Sequence, residues 1–126
     1  MIPDFIMTDG TVTVDMSILQ DLAGDDVNSI RPIIELFLTN MPETIQKMEE
    51  YHQAKDWQEL SKMAHYAKSS LSVINIDTLY DLCGKVEKDA NTGTELENIG
   101  ALIYQVHEKY KKAELLLKKE LNKLSA

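Results

Sequence analysis

Residues 56–74 read DWQELSKMAHYAKSSLSVI, and the spacing of their apolar side chains predicts an α-helix. At about 100° per residue, one stripe along this helix collects side chains that recur every three or four positions. The stripe consists of Trp57, Leu60, Ala64, Ala67, Leu71 and Ile74. Asp56 precedes it, and Glu59 completes an Asp-x-x-Glu variant of the capping box that begins helices. We therefore expect an amphipathic helix that turns this stripe towards a core.

Upstream of this helix, the same spacing predicts a longer helix over about residues 27–54. Its stripe consists of Ile30, Ile34, Phe37, Leu38, Met41, Ile45 and Met48. Residues 11–14, TVTV, lack helical spacing, and we interpret them as an extended lead-in. A short helix follows over about residues 15–23 and ends at Gly24, because glycine readily takes the left-handed conformation beyond a helix C-terminus.

Downstream of residue 74, two more helices are expected. One begins after Asp77, ends at residues 91–93 and buries Leu79, Leu82, Cys83, Val86 and Ala90. Residues 94–97, TELE, contain every part of a capping box, so they predict the start of a last helix of about 30 residues. Its apolar stripe consists of Ile99, Ile103, Val106, Tyr110, Ala113, Leu117, Leu121 and Leu124.

Four long apolar stripes joined by short loops predict an all-α fold. The expected architecture is an antiparallel four-helix bundle with a short additional N-terminal helix. We expect one domain over residues 1–126, in which residues 1–26 form the lead-in and the short helix and residues 27–124 form the bundle.

Charge and hydropathy limit the partners that this chain can have. The net charge of −8 repels nucleic-acid phosphates, so we expect no nucleic-acid partner. No apolar run approaches the roughly 20 residues of a membrane span, and the first residues lack the basic region of a signal peptide. We expect a cytoplasmic protein without membrane insertion, and most simply a monomer. The single cysteine, Cys83, is interpreted as a small core side chain.

Three histidines are candidates for chemistry, and His65 differs from the other two. His52, near the end of the second helix's stripe, and His107, among charged residues of the last helix, are interpreted as core-edge or surface side chains. When Leu60 is set at 0°, the apolar stripe of the third helix centres near about 10°, whereas His65 falls near about 140°. The His65 imidazole is therefore expected to face solvent.

Small side chains lie beside His65 on the same helix face. Ser61 and Ser69 are one turn to either side, and Ser72 is close to the same face, which leaves room for the active site of another protein. An exposed imidazole is largely neutral near pH 7 and is a nucleophile. Lys68, three residues on, would partly offset the negative charge of a phosphoryl group attached to His65.

A longer pattern surrounds this histidine. Residues 64–70 read AHYAKSS and are followed by Leu79, by Leu82-Cys83 and by Val86-Glu87. The pattern resembles the histidine-containing phosphotransfer (Hpt) domain of bacterial phosphorelays, whose signature is approximately A-H-x-L-K-G-S and then L-x-x-L-C-x-x-L-E. The spacing matches without a gap. The resemblance covers the third and fourth helices closely, whereas the second and fifth agree in length and pattern only.

The sequence departs from that signature at a few positions. Ala67 stands where the family usually has leucine, and Ser69 stands where glycine is usual. Serine is also small enough to let a partner approach, so docking is expected to survive the change at Ser69. Asn75-Ile76 replaces the usual Gly-Ala between two helices, which affects the loop and not the histidine.

The resemblance implies that His65 takes a phosphoryl group from the aspartyl phosphate of one receiver domain and passes it to another receiver. The partners are then receiver domains of response regulators or hybrid sensor kinases, and the receiver supplies Mg²⁺, so that this chain binds no cofactor or metal of its own. By the same resemblance, Lys68 is expected to stabilise the phosphoryl group. Glu87 lies where family members contact the histidine, and three roles stay open: orienting the ring, pairing with Lys68, or plain solvation.

A helical bundle of this kind could have three other functions. A histidine kinase would need an ATP-binding module, and the sequence contains neither Gly-x-Gly-x-x-Gly nor a P-loop, so no enzyme is expected. Metal storage in a bundle core would need inward-facing Glu-x-x-His pairs, which are lacking. A scaffold or inhibitor of the same fold, which docks a receiver without being phosphorylated at His65, is the remaining alternative.

Overall fold

The computed structural model describes residues 4–125 of the chain. The elements follow in the order β1 (Ile6–Thr8), β2 (Thr13–Asp15), α1 (Ser17–Ala23), α2 (Val27–Gln53), α3 (Trp57–Leu71), β3 (Asn75–Ile76), α4 (Leu79–Thr92), a 3-10 turn (Leu96–Asn98) and α5 (Ile99–Ser125). The mainly helical fold that the apolar stripes predict is thus confirmed. None of the described helices is both long and apolar enough to cross a membrane.

Three helix ends lie where local sequence signals place them: the start of α3 and the ends of α1 and α4. The Asp56 side chain accepts a hydrogen bond from the backbone N–H of Glu59 at 3.3 Å, and this satisfies one of the free donors at the start of α3. Gly24 ends α1 with φ = 65°, and Gly93 ends α4 with φ = 72°. Only glycine takes such angles without strain, so these two glycines separate neighbouring helices.

The capping box predicted at residues 94–97 is wrong. Glu95 takes a left-handed conformation with φ = 53°, and the Thr94 hydroxyl lies 2.7 Å from the hydroxyl of Thr92 instead of capping a helix. In the predicted box Thr94 would be the N-cap and Glu95 the first residue of the helix, which needs right-handed helical angles. The 3-10 turn of residues 96–98 therefore comes first, and α5 begins at Ile99.

Thr13 and Val14 of the extended lead-in belong to a small sheet that the sequence did not predict. Strand β2 is the central strand, antiparallel to both β1 and β3. Val14 pairs with Met7 on one side and with Ile76 on the other, and all three side chains are buried. Strands of two or three residues carry almost no periodicity, so their pairing depends on distant contacts that no local pattern reveals.

The core lies between the four long helices. Helix α2 packs against α3 and α5, and α4 packs against the same two helices. The predicted stripe of α3 faces this core, because Leu60, Ala64, Ala67 and Leu71 are each at most 1% exposed. The opposite face of α3 is left open to solvent, and this is the face that carries the candidate site.

Candidate functional site

His65 lies on the outer face of α3. Its side chain is 67% exposed, while its neighbours Ala64 and Ala67 are completely buried. This follows from the helical period, because His65 lies about 130° around the helix from the centre of the buried stripe. The predicted solvent exposure of the imidazole is therefore confirmed.

Glu87 connects His65 to Lys68. Its Oε2 lies 2.8 Å from Nδ1 of His65, and its Oε1 accepts a hydrogen bond from Nζ of Lys68 at 3.1 Å. Glu87 follows the buried residue Val86 on α4, and the packing of α4 on α3 brings it to the rim of the helix pair. Glu87 thus bonds His65 and pairs with Lys68 at the same time, and its part in orienting the ring for chemistry stays a prediction.

These contacts set the charges of the cluster. Partial burial alone raises the pKa of the Glu87 carboxyl, but the hydrogen bonds from Lys68 and His65 outweigh it and hold that pKa below its ordinary value of 4.5. The hydrogen bond to Glu87 raises the pKa of Lys68 above 10.5. At neutral pH the cluster therefore holds a carboxylate and an ammonium beside the imidazole.

The pairing with Glu87 also decides which nitrogen of His65 can react. An ionised carboxylate only accepts hydrogen bonds, so Nδ1 of His65 must be the donor. In the neutral imidazole this leaves Nε2 without a proton and with its lone pair free. The exposed ring thus presents Nε2 as a nucleophile, while Glu87 holds the other nitrogen.

The three serines named as docking positions lie in different surroundings. Ser61 is half-buried, and its hydroxyl donates to the backbone oxygen of Glu87 at 3.1 Å, so it links α3 to α4. Ser69 and Ser72 are both exposed beyond the histidine. Their hydroxyls bond backbone oxygens of α3, at 3.4 Å to His65 and at 2.6 Å to Ser69 respectively. These two serines leave a low, open surface on one side of the imidazole.

An apolar groove borders this surface, and sequence reasoning missed it. It has a volume of about 150 Å³ and is lined by Ile33, Leu36, Phe37, Asn40, Ser69, Ser70, Val73 and Ile74. Leu36 is 60% exposed and Ile33 is 36% exposed, so the groove presents apolar surface to solvent. The available signal was the apolar pair Ile33 and Leu36, which recurs at helical spacing beside the buried stripe of α2.

Comparisons with known proteins agree with this geometry. The family model described as the Hpt domain matches residues 32–126, about three quarters of the chain. The chain belongs to the Hpt domain family. A solved Hpt structure, that of histidine-containing phosphotransfer protein B from Pseudomonas aeruginosa PAO1, matches with a TM-score of 0.77 and 25% identity over 86% of this chain and 90% of that chain. Comparison with curated protein sequences gives no match.

Family membership assigns a general role to the chain. Hpt domains carry phosphoryl groups on a histidine within phosphorelays, they interact with receiver domains, and they are carriers and not kinases. The matched region contains α3 and α4, and therefore His65, Lys68 and Glu87.

The other two histidines of this Hpt domain lie apart from the cluster. Nδ1 of His107 lies 3.3 Å from Glu49, and the His52 ring stacks obliquely on Trp57 with ring centres 5.9 Å apart. These are surface and core-edge surroundings, as interpreted from the sequence. Cys83 is completely buried, and burial raises the pKa of its thiol to about 12, so it remains a neutral core side chain.

Proposed function

We propose that His65 accepts a phosphoryl group from the aspartyl phosphate of one receiver domain and passes it to the aspartate of another. One observation carries the proposal: the imidazole is exposed, with Nδ1 held by Glu87 and Nε2 free. A buried ring, or one with both nitrogens bonded, would have no way to attack a group held in another protein.

The transfer would run through Nε2. Its lone pair attacks the phosphorus atom of the aspartyl phosphate, the N–P bond forms, and the bond between phosphorus and the aspartate oxygen breaks. The proton on Nδ1 stays between the ring and Glu87, where the carboxylate stabilises the positive charge that develops on the imidazole. Onward transfer reverses these steps, with the carboxylate of the second receiver as nucleophile.

Two cations would offset the phosphoryl charge. Lys68 supplies an ammonium from this chain, one turn from His65 on the same helix. The Mg²⁺ is proposed to come from the receiver's acidic pocket and not from a site in this chain. The Hpt domain thus provides the nucleophile and one positive charge, and its partner provides the metal.

Docking is proposed to use the surface beyond the histidine. Ser69 and Ser72 leave space next to the imidazole, and the groove with Ile33 and Leu36 offers apolar area for the receiver to cover. Such a contact would be small, below about 1,200 Å² in total, as is usual for transient signalling complexes. Ser61 would act indirectly by joining α3 to α4.

We infer that residues 1–26 and 27–124 act together as a single Hpt domain and that consecutive long helices run antiparallel. The short connections between them favour that arrangement. We further propose a monomer that works in the cytoplasm, where receiver domains of response regulators and hybrid sensor kinases would meet it.

The test is phosphoryl transfer from a labelled receiver. Incubation with a phosphorylated receiver should give an acid-labile, base-stable label on the wild-type chain and none on His65→Gln. The substitution should leave the free energy of unfolding within about 0.5 kcal/mol of wild type, because the side chain is exposed. His107→Gln is the matched control, since that ring also pairs through Nδ1 with a glutamate, and it should label normally.

Two results would separate the alternatives. Label retained on folded His65→Gln would rule out His65 as the acceptor. Binding of the receiver without any label on the wild-type chain would instead indicate a scaffold or inhibitor of the same fold.

A further inference from the structure

Lys68 is enclosed by three residues of the neighbouring helix α4. Its Nζ lies 5.2 Å from the centre of the Tyr80 ring and 3.1 Å from Oε1 of Glu87. Between these two contacts the lysine stem passes Gly84, where an added Cβ would lie 4.0 Å from Cδ and Cε of Lys68. The side chain is only 24% exposed, although lysine side chains usually extend into solvent. The ammonium is therefore held in one place.

Glu87 alone is poorly suited to position the Lys68 ammonium for interaction with a phosphoryl group. Its carboxylate competes with the phosphoryl oxygens for the same ammonium, and its other oxygen is already bonded to His65. The face of an aromatic ring attracts a cation through its quadrupole and carries no net charge. Tyr80 can thus keep Lys68 in position without neutralising it.

We propose that Tyr80 is a positioning residue for phosphoryl transfer, which holds the Lys68 ammonium beside the phosphoryl group on His65. This rests on the proposed function of His65. The face of the Tyr80 ring holds the ammonium, and the Tyr80 hydroxyl is not needed for this. Tyr80→Phe should therefore behave like wild type, whereas Tyr80→Leu should leave Lys68 free to move.

The rate measurement should use phosphoramidate, a small phosphodonor, because Tyr80 is 42% exposed and its loss could otherwise disturb receiver docking. Tyr80→Leu should slow labelling of His65 by about two- to fivefold, the factor that a cation–π contact at a partly exposed site is worth. Tyr80→Phe should restore the wild-type rate. In a Lys68→Met background, Tyr80→Leu should cause no further loss.

Tyr104→Leu is the matched control. Tyr104 is also an exposed tyrosine, on α5, where its hydroxyl bonds Glu108. Its replacement should leave the labelling rate unchanged. A loss of rate that is equal for Tyr80→Leu and Tyr104→Leu, or that persists in the Lys68→Met background, would overturn the positioning role.

A second readout does not depend on phosphorylation. Protons of the Lys68 ε-methylene group should show an upfield ring-current shift in NMR spectra of wild type and Tyr80→Phe, and should lose it in Tyr80→Leu. No shift in wild type would overturn the contact. If Tyr80→Leu loses the NMR shift but labels His65 at the wild-type rate, Tyr80 has no role in phosphoryl transfer. If the wild-type chain takes no label from any donor, the proposed function of His65 is wrong, and so is the positioning role of Tyr80. The NMR shifts would still report the contact between Lys68 and Tyr80.

Discussion

Glu87 Oε2 lies 2.8 Å from His65 Nδ1, although 22 positions separate the two residues in the chain. The contact exists because α4 packs against α3. It distinguishes the two ring nitrogens, since the carboxylate engages Nδ1 and the neutral ring then has its lone pair on Nε2. The other oxygen of Glu87 holds Lys68, so one carboxylate organises both side chains of the candidate site.

Replacing Glu87 by glutamine should slow phosphoryl transfer without abolishing it. An amide retains the shape, but it lacks the charge that stabilises the imidazolium and keeps Nδ1 as the donor. We expect the labelling rate with phosphoramidate to fall about tenfold, the equivalent of one charge-assisted hydrogen bond. Glu49→Gln is the control, since it alters the contact of His107 and should not change the rate. An unchanged rate in Glu87→Gln would show that the contact has no part in transfer.

A large side chain at position 69 should hinder docking of a receiver without affecting the reaction at His65. Ser69 is exposed one turn beyond His65 and borders the apolar groove, so the side chain in Ser69→Tyr should obstruct a receiver but not a small molecule. We expect labelling by a phosphorylated receiver to fall at least about tenfold, while labelling by phosphoramidate stays near wild type. Gln105→Tyr, at an exposed position of α5, should affect neither reaction. Equal losses with both donors would instead point to damage at His65 itself.

Replacing Ala67 by leucine tests how closely the core is packed around this residue. The family usually has leucine here, yet Ala67 is completely buried in this chain. Three additional carbon atoms would have to displace neighbours, so Ala67→Leu should lower the free energy of unfolding by about 1–3 kcal/mol. Urea denaturation followed by circular dichroism measures this, with Ala101→Leu on the exposed face of α5 as the control. An increase in stability would mean that the neighbours leave room for leucine.

The ionisation of Asp9 in the β1–β2 turn should make the free energy of unfolding depend on pH in the acid range. Its Oδ1 accepts hydrogen bonds from the hydroxyl and N–H of Thr11 and from the N–H of Val12, at 2.7, 2.8 and 2.8 Å. The side-chain hydrogen bond from Thr11 is the largest cause, followed by the two backbone bonds, and together they lower the pKa of Asp9 from 3.8 to about 2. The stabilisation is therefore complete above the ordinary pKa and is lost as the pH falls towards 2.

Asp9→Asn measures this contribution. The difference in urea midpoint between wild type and Asp9→Asn should be constant above about pH 5 and should shrink between about pH 4 and pH 2. A difference that stays constant down to pH 2 would show that ionisation of Asp9 does not matter for folding.

The long helices could be predicted because their signals are local. The stripes of α2, α3 and α4, the cap at Asp56 and the stop at Gly24 all act within a few residues, so the sequence predicts these helix ends closely. The capping box at residues 94–97 failed even though its residues fit the pattern. A helix that starts after Thr94 needs right-handed helical angles at Glu95, and the left-handed conformation of Glu95 rules this out.

The sequence by itself determined the helical fold, the family pattern around His65, and the outward direction of that imidazole, since all three follow from spacing along one chain segment. Only the tertiary structure decided that Glu87 bonds both His65 and Lys68. The same holds for the position of the Tyr80 ring next to the Lys68 ammonium, and for the groove that Leu36 on α2 and Ser69 on α3 line together. Each of these relationships joins residues of two different helices. Their geometry depends on how the helices pack, and the period of a single helix carries no information about that.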